Sequence, residues 1–188
     1  MANPLQTYAR AEDQARVRLR TMAALAAGLI MGAARASGAL AQAPGPSWIA
    51  VDSAARTVTI ALEVTHPAGA TSALLNGLRE GAAQVVVPLG WTVSWDWHSA
   101  DSTGAHSLVL MQEREKLPTE GGRPVFTNAM TQSLTAGLPA GQTDHTTFEA
   151  DQVGWYWLLC GVPSHALQGE WLGLKVDADA KTAGVLMK

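Results

Sequence analysis

The chain has 188 residues, of which 47% are hydrophobic and 15% charged, with 13 basic and 16 acidic side chains for a net charge of −3. Five of the basic groups (Arg10, Arg16, Arg18, Arg20 and Arg35) lie before position 42, so the remaining 147 residues carry eight basic and fourteen acidic side chains, a net charge of −6. That length suits one domain with a core of its own, and the acidic balance argues against nucleic acid as a partner, since affinity for phosphate backbones rests on clustered Lys and Arg.

From the N-terminus, four arginines precede an apolar run over 22–34, which ends in Ser37-Gly38-Ala39-Leu40-Ala41. This order describes a secretory signal peptide. A retained anchor is the alternative, but a run of roughly 13 apolar residues falls short of the ~20 that a bilayer-spanning helix needs. Residues 1–41 are therefore expected to be a cleaved leader, 42–47 a flexible lead-in and 48–188 one folded domain. The expected location is periplasmic or extracellular, with no stable membrane span after cleavage. No arginine pair marks a twin-Arg signal, so export unfolded and metal acquisition outside the cytoplasm are the simpler expectation.

Beyond the lead-in the apolar pattern is short and alternating. Thr57-Val58-Thr59-Ile60-Ala61-Leu62-Glu63 has the period of two that a half-buried strand shows. Further strands are predicted over 84–87, 92–97, 106–111, 143–150, 155–160 and 171–176, separated by Gly, Pro and Asp clusters. Seven or eight short strands on one core make an all-β sandwich or barrel. Residues 112–141 are too often punctuated by Gly and Pro for a continuous element, and read as a long surface excursion with one helical turn near 128–133. The tail after Val176, Asp177-Ala178-Asp179-Ala180-Lys181, reads as solvated.

Cys160 is the only cysteine, so no internal disulfide forms in an oxidising compartment and the lone thiol needs another account. A buried inert Cys is the ordinary one. The segment Trp155-Tyr156-Trp157-Leu158-Leu159-Cys160-Gly161-Val162-Pro163-Ser164-His165 changes the balance. Cys160 ends an apolar strand, and His165 follows five residues later in a loop that Gly161, Pro163 and Gly169 fold back. His106 comes directly after the turn Asp101-Ser102-Thr103-Gly104, which puts it at a sheet end. One soft thiolate with two imidazoles suits copper in an electron-transfer site. Zinc accepts the same donors, although structural zinc sites generally use two or more Cys or a complete four-ligand set.

These residues resemble the cupredoxins, and within them sulfocyanin and rusticyanin. The resemblance runs from about position 48 to 176. It rests on Val87-Pro88-Leu89-Gly90-Trp91-Thr92-Val93, on His106-Ser107-Leu108-Val109, and most on Cys160-Gly161-Val162-Pro163-Ser164-His165 followed by Gly169-x-Trp171. The last is similar to the family's Cys-Gly-x-Pro-Gly-His loop with its downstream Gly-Met-Trp. The resemblance implies a Greek-key β-sandwich with one type 1 copper held by His106, Cys160 and His165. The sequence departs from the family at the axial position, where Glu170 stands in place of methionine. A hard anionic carboxylate there favours Cu(II) over Cu(I). With Glu170 turned outward, the alternatives are a three-coordinate copper or the approach of Gln168 or a water.

Met111 and Met130 lack the axial spacing and are expected in the core. His98 is a candidate outer-shell group or alternative ligand, while His66 and His145 have no identifiable partner. Several of the seven tryptophans are expected to fill the sandwich, with Trp171 a candidate for shielding the metal.

The first functional reading is an exported electron carrier, not an enzyme, passing electrons through His165 to a redox protein such as a cytochrome or a terminal oxidase. Electrostatic steering would favour a basic partner face. The rival is a small copper enzyme or nitric-oxide-reactive site with an open coordination position. Copper delivery or storage, a third reading, requires readily exchanged metal and fits a buried thiolate poorly.

Overall fold

A computed structural model of the chain describes residues 46–188. The expected leader, 1–41, and most of the lead-in, 42–47, lie outside the described residues. No helix occurs among the described residues, and none is long and apolar enough to cross a membrane.

Ten strands form two five-stranded sheets. In the first, β1 (Ile49–Asp52), β2 (Thr57–Thr65), β5 (Thr92–Ser99) and β7 (Thr143–Glu149) lie side by side, with β3 (Leu74–Leu75) also pairing with β2. In the second the order is β10 (Gly184–Met187), β4 (Ala83–Pro88), β9 (Trp171–Asp177), β8 (Gly154–Leu159) and β6 (Val109–Gln112). Both sheets are mixed, since β2 runs parallel to β5 and β4 parallel to β9.

Alternation decides what each strand buries. Val58, Ile60, Leu62 and Val64 of β2 and Val93, Trp95 and Trp97 of β5 point inward to meet Val85 and Val87 of β4, Tyr156 and Leu158 of β8 and Leu172, Leu174 and Val176 of β9 in one continuous core. A fully buried side chain of this size contributes about 1.5–3 kcal/mol. Five of the seven tryptophans are buried or half-buried in the two clusters formed this way, or against them, besides Trp171, while Trp155 is exposed. The arrangement is the expected all-β sandwich, with ten strands in place of seven or eight.

Three features differ from expectation. Residues 177–181 are exposed or half-exposed as expected, but beyond them 184–187 return as an unexpected strand, β10, and pair antiparallel with β4. The strand predicted from position 106 begins at Val109, and His106 precedes it, tied instead to Leu138 by two backbone hydrogen bonds, His106 N–H to Leu138 O at 3.1 Å and Leu138 N–H to His106 O at 2.7 Å. Residues 113–142 contain no helix, and the one i→i+4 bond in them, Gly137 N–H to Ser133 O at 2.6 Å, closes a single turn beyond the expected 128–133. They fold back along β6, where Val125 N–H donates to Leu110 O (2.9 Å), Leu110 N–H to Ala129 O (3.0 Å) and Thr131 N–H to Leu108 O (2.8 Å). Phe126 from this excursion enters the core, stacked on Phe148 at 5.5 Å. The segment is thus built into the domain at the end where Cys160 and His165 lie.

Candidate metal centre

Cys160 follows β8 directly, and the loop 161–170 joins β8 to β9, so the antiparallel pairing of those strands brings Glu170 back beside Cys160. Cys160 N–H donates to Glu170 O at 3.1 Å, and Glu170 N–H to His165 O at 3.1 Å. His106 reaches the same point from the turn before β6. One donor atom from each of His106, Cys160, His165 and Glu170 lies within 4.8 Å of the others. All four residues singled out in the sequence are brought together.

The contacts are specific. Nδ1 of His106 is 3.0 and 2.9 Å from the two Glu170 carboxylate oxygens. Nδ1 of His165 is 3.2 Å from Glu170 Oε2 and 3.6 Å from the Cys160 sulfur. The two imidazoles lie 4.9 Å apart, centre to centre, tilted by 49°. Only His165 has appreciable access to solvent, at 24%, against 2% for His106 and for Glu170.

Asp101 is the group that sequence reasoning missed. Read there as a turn residue, it is buried, and its Oδ2 accepts from His106 Nε2 at 2.8 Å. Its Oδ1 accepts from Thr103 N–H (2.7 Å) and from the Thr103 hydroxyl (2.6 Å). The signal available was an aspartate that opens a turn five residues before a candidate ligand histidine. A carboxylate behind a metal-facing imidazole fixes its tautomer and orientation.

Ser107 is a second such group. Its N–H points at the Cys160 sulfur from 3.4 Å, while its hydroxyl donates to Leu134 O at 2.6 Å and accepts from Gly161 N–H at 2.9 Å. The excursion closes the other side, with Gly121 N–H donating to Gly161 O (2.8 Å) and Ser164 N–H to Thr119 O (2.7 Å). Gly137 sits at φ 76°, and a Cβ there would come within 2.8 Å of the Ala105 carbonyl carbon and His106 N, so only glycine fits beside His106.

In the metal-free protein, burial opposes the charging of His106, but Glu170 and Asp101 outweigh it and its pKa is raised. Burial likewise opposes ionisation of Glu170, yet hydrogen bonds from His106 and His165 lower its pKa. For Asp101, burial is overcome by Thr103 and His106, which hold it at about 2. The Cys160 thiol is pushed well up, first by burial and then by the Glu170 charge. These contacts favour charge on His106, which lies between the Glu170 and Asp101 carboxylates, and oppose ionisation of the Cys160 thiol.

The donor set fits copper. A soft sulfur with two imidazole nitrogens is the set that copper takes in electron-transfer sites, and the fourth position varies among such sites. The fourth donor within reach here is a Glu170 carboxylate oxygen, whereas Gln168 is exposed.

The other candidates lie elsewhere. His98, on β5, is half-buried, faces Glu63 at 3.3 Å and lies outside the donor group. His145 pairs with Asp96 at 2.7 Å. His66 does have a partner, Thr103 Oγ1 at 2.9 Å, and reaches Asp101 at 3.5 Å. Met111 packs against the smaller apolar cluster, but Met130 is exposed rather than in the core. Trp171 is half-buried in that cluster beside Leu159 and Ala166.

The sulfocyanin (SoxE) domain family matches residues 44–184 of the chain. Among solved structures the chain is similar to rusticyanin from Thiobacillus ferrooxidans, with 22% identity, 65% of this chain and 82% of that chain covered and a TM-score of 0.40. It is also similar to dithionite-reduced auracyanin from the photosynthetic bacterium Roseiflexus castenholzii, with 20% identity, 62% and 96% covered and a TM-score of 0.43. No curated protein matches the chain.

Proposed function

The chain belongs to the sulfocyanin (SoxE) domain family, cupredoxins that bind copper, and on that premise we propose that it is an exported electron carrier with one copper per molecule. The observation that carries this reading is the convergence of the His106, Cys160, His165 and Glu170 donors within 4.8 Å. Bound there, copper supplies one-electron chemistry by alternating between its cupric and cuprous states.

The chain's own groups hold the donors in place. Asp101 keeps a proton on His106 Nε2, so that Nδ1 presents its lone pair to the metal. The Ser107 N–H stabilises negative charge on the Cys160 sulfur. The hydrogen bonds from residues 119, 121, 134 and 138 tie the loop and the His106 turn to the sandwich, so little reorganises when the charge changes. His165 is the donor with a solvent-facing edge and serves as the electron port in this reading.

Glu170 is assigned the axial place, supported by its burial and its contacts to both imidazoles. A hard anionic oxygen stabilises Cu(II), so the potential lies below that of a methionine-ligated site. Export to the periplasm or cell exterior rests on the leader pattern of residues 1–41. The partner proposed is a redox protein with a basic docking face, a cytochrome or a terminal oxidase.

The test is to record visible and EPR spectra and the potential for copper-loaded wild type, Cys160→Ser and Glu170→Met. Loss of the sulfur-to-copper absorption in Cys160→Ser and a raised potential in Glu170→Met are expected. Refusal of copper, or an absorption that survives loss of the thiol, sinks the reading. A cavity of about 190 Å³ beside the site, lined in part by His66, His165, Gln168 and Glu170, favours the small-molecule-reactive alternative. Binding of azide or nitric oxide to the wild-type copper would support that alternative, and failure of both would favour the carrier.

A further inference from the structure

Glu170 carries a buried carboxylate whose side-chain contacts among the described residues are to His106 and His165, both donors of the same site. Among the described residues nothing outside the site anchors that carboxylate through its own oxygens, so its depth of approach is governed by the backbone on either side of it. That backbone is clasped by Arg79, Glu80 and Gly81. Arg79 Nη2 donates to Gln168 O at 3.0 Å, Glu80 N–H to Gly169 O at 2.8 Å, and Gly81 N–H to Trp171 O at 3.0 Å. Residues 168, 169 and 171 are thus each tied to one three-residue strap, and Glu170 is the residue between them.

The two pieces are also in van der Waals contact. A Cβ on Gly169 would come within 2.9 Å of Glu80 Cγ and 3.0 Å of Arg79 Nε and Nη2, and a Cβ on Gly81 would enter the Trp171 ring. Both pieces use left-handed backbone, with Glu80 at φ 53°, Gly81 at 69° and Gly169 at 103°. For Glu80, which has a side chain, that conformation is strained and persists only where its surroundings over-determine it. Glu80 Oε1 in turn accepts from Arg79 Nη2 at 2.8 Å and orients the guanidinium toward the loop.

We propose that Arg79 is a positioning residue for Glu170: through the strap 79–81 it sets how closely the Glu170 carboxylate approaches the other three donors, and with that the character and potential of the copper site. The inference rests on the reading of Glu170 as a metal ligand. Its physical basis is that a planar, permanently charged fork makes a stiffer clasp on a carbonyl than a flexible ammonium or a neutral side chain, and that the axial donor tunes such sites.

The experiment uses the full-length copper-loaded protein carrying Arg79→Leu or Arg79→Lys, each in the wild-type and Glu170→Met backgrounds, with copper content, visible and EPR spectra and potential as readouts. Arg79→Leu is expected to keep one copper per chain and to shift spectrum and potential in the same direction as Glu170→Met, by part of that amount. Arg79→Lys returns part of the way, and in the Glu170→Met background Arg79→Leu adds little. Should Arg79→Leu fail to fold, Gly169→Ala, which presses on the strap from the other side, carries the same comparison. A wild-type spectrum and potential in Arg79→Leu, while Glu170→Met shifts both, overturns the inference alone, as does an equal shift in the two backgrounds. A silent Glu170→Met removes the axial reading and the inference together.

Discussion

The Asp101 carboxylate lies 2.8 Å from Nε2 of His106, and the two side chains are 3% and 2% exposed. The pair spans only five positions, yet it joins a turn to the ring edge of His106 opposite the Nδ1 that faces Glu170. Thr103 satisfies the second oxygen of Asp101, so the carboxylate is fixed before any metal arrives.

Asp101→Ala is expected to weaken copper binding by about 10–100-fold, the usual effect of losing an outer-shell partner of a metal-ligating histidine. Asp101→Asn keeps an acceptor oxygen and should retain most of the affinity. Competition against a chelator of known strength measures both. Wild-type affinity in the alanine variant would show that His106 is oriented without Asp101.

Acid should destabilise the copper-free protein. Asp101 and Glu170 both have lowered pKa values, so their contribution is present above the ordinary carboxylate range and is lost as pH falls through the folded values. For Asp101 that window runs from 3.8 to about 2, and its share is about 2 kcal/mol. His106 has the opposite sign. Its raised pKa stabilises the fold below its ordinary 6.5, and that share is lost as pH rises through the folded value. Thermal melts of the copper-free protein should peak in mild acid, between the two losses, and Asp101→Asn should flatten the acid limb.

Copper uptake should run the other way with pH. Binding must displace a proton from the Cys160 thiol, whose pKa is raised by burial and by Glu170, and, below the raised pKa of His106, a second from that imidazole. Proton release accompanies uptake and apparent affinity rises with pH. Calorimetry in buffers of different ionisation enthalpy counts the protons. A pH-independent affinity would contradict the charge state described for the metal-free site.

Gly161→Ala should destabilise the loop behind the metal site. The added Cβ would meet the Leu134 side chain and its carbonyl oxygen, the latter at 3.1 Å. Overpacking of this kind costs about 1–3 kcal/mol. Denaturant unfolding of Gly161→Ala, and of the same change with Leu134→Ala, separates the effects, since trimming Leu134 should recover part of the loss. An unaltered midpoint in Gly161→Ala would mean that the excursion yields freely.

Much of the sandwich was legible because a strand's side-chain period of two is a local property. Val58, Ile60 and Leu62, or Val93, Trp95 and Trp97, announce a buried face whatever lies opposite. The ligand loop was legible for a similar reason, since Cys160, His165 and Glu170 fall within eleven residues between two strongly apolar strands. β1 and β10 gave no such signal. Most of their residues are exposed or half-exposed, and they are strands because β2 and β4 offer unpaired edges.

The helical turn expected near 128–133 was overruled from a distance. The Leu108 and Leu110 backbone takes hydrogen bonds that a helix would keep to itself, pairing Met130 with Val109 and leaving the Met130 side chain exposed. Such competition is invisible to a local window.

Residue types and their placement therefore pointed to His106, Cys160 and His165, and the family resemblance to Glu170, since thiol and imidazole chemistry travels with the side chain and a compact loop limits where it can point. Folding alone chose their surroundings. Asp101 behind His106, Ser107 and Leu134 behind the sulfur, and Arg79 across 89 positions from Gln168 are all backbone or side-chain hydrogen bonds between segments whose nearness is set by strand pairing and core packing. Donors and acceptors of this kind are present in nearly every residue, so the pattern of letters does not single out the pairs that form.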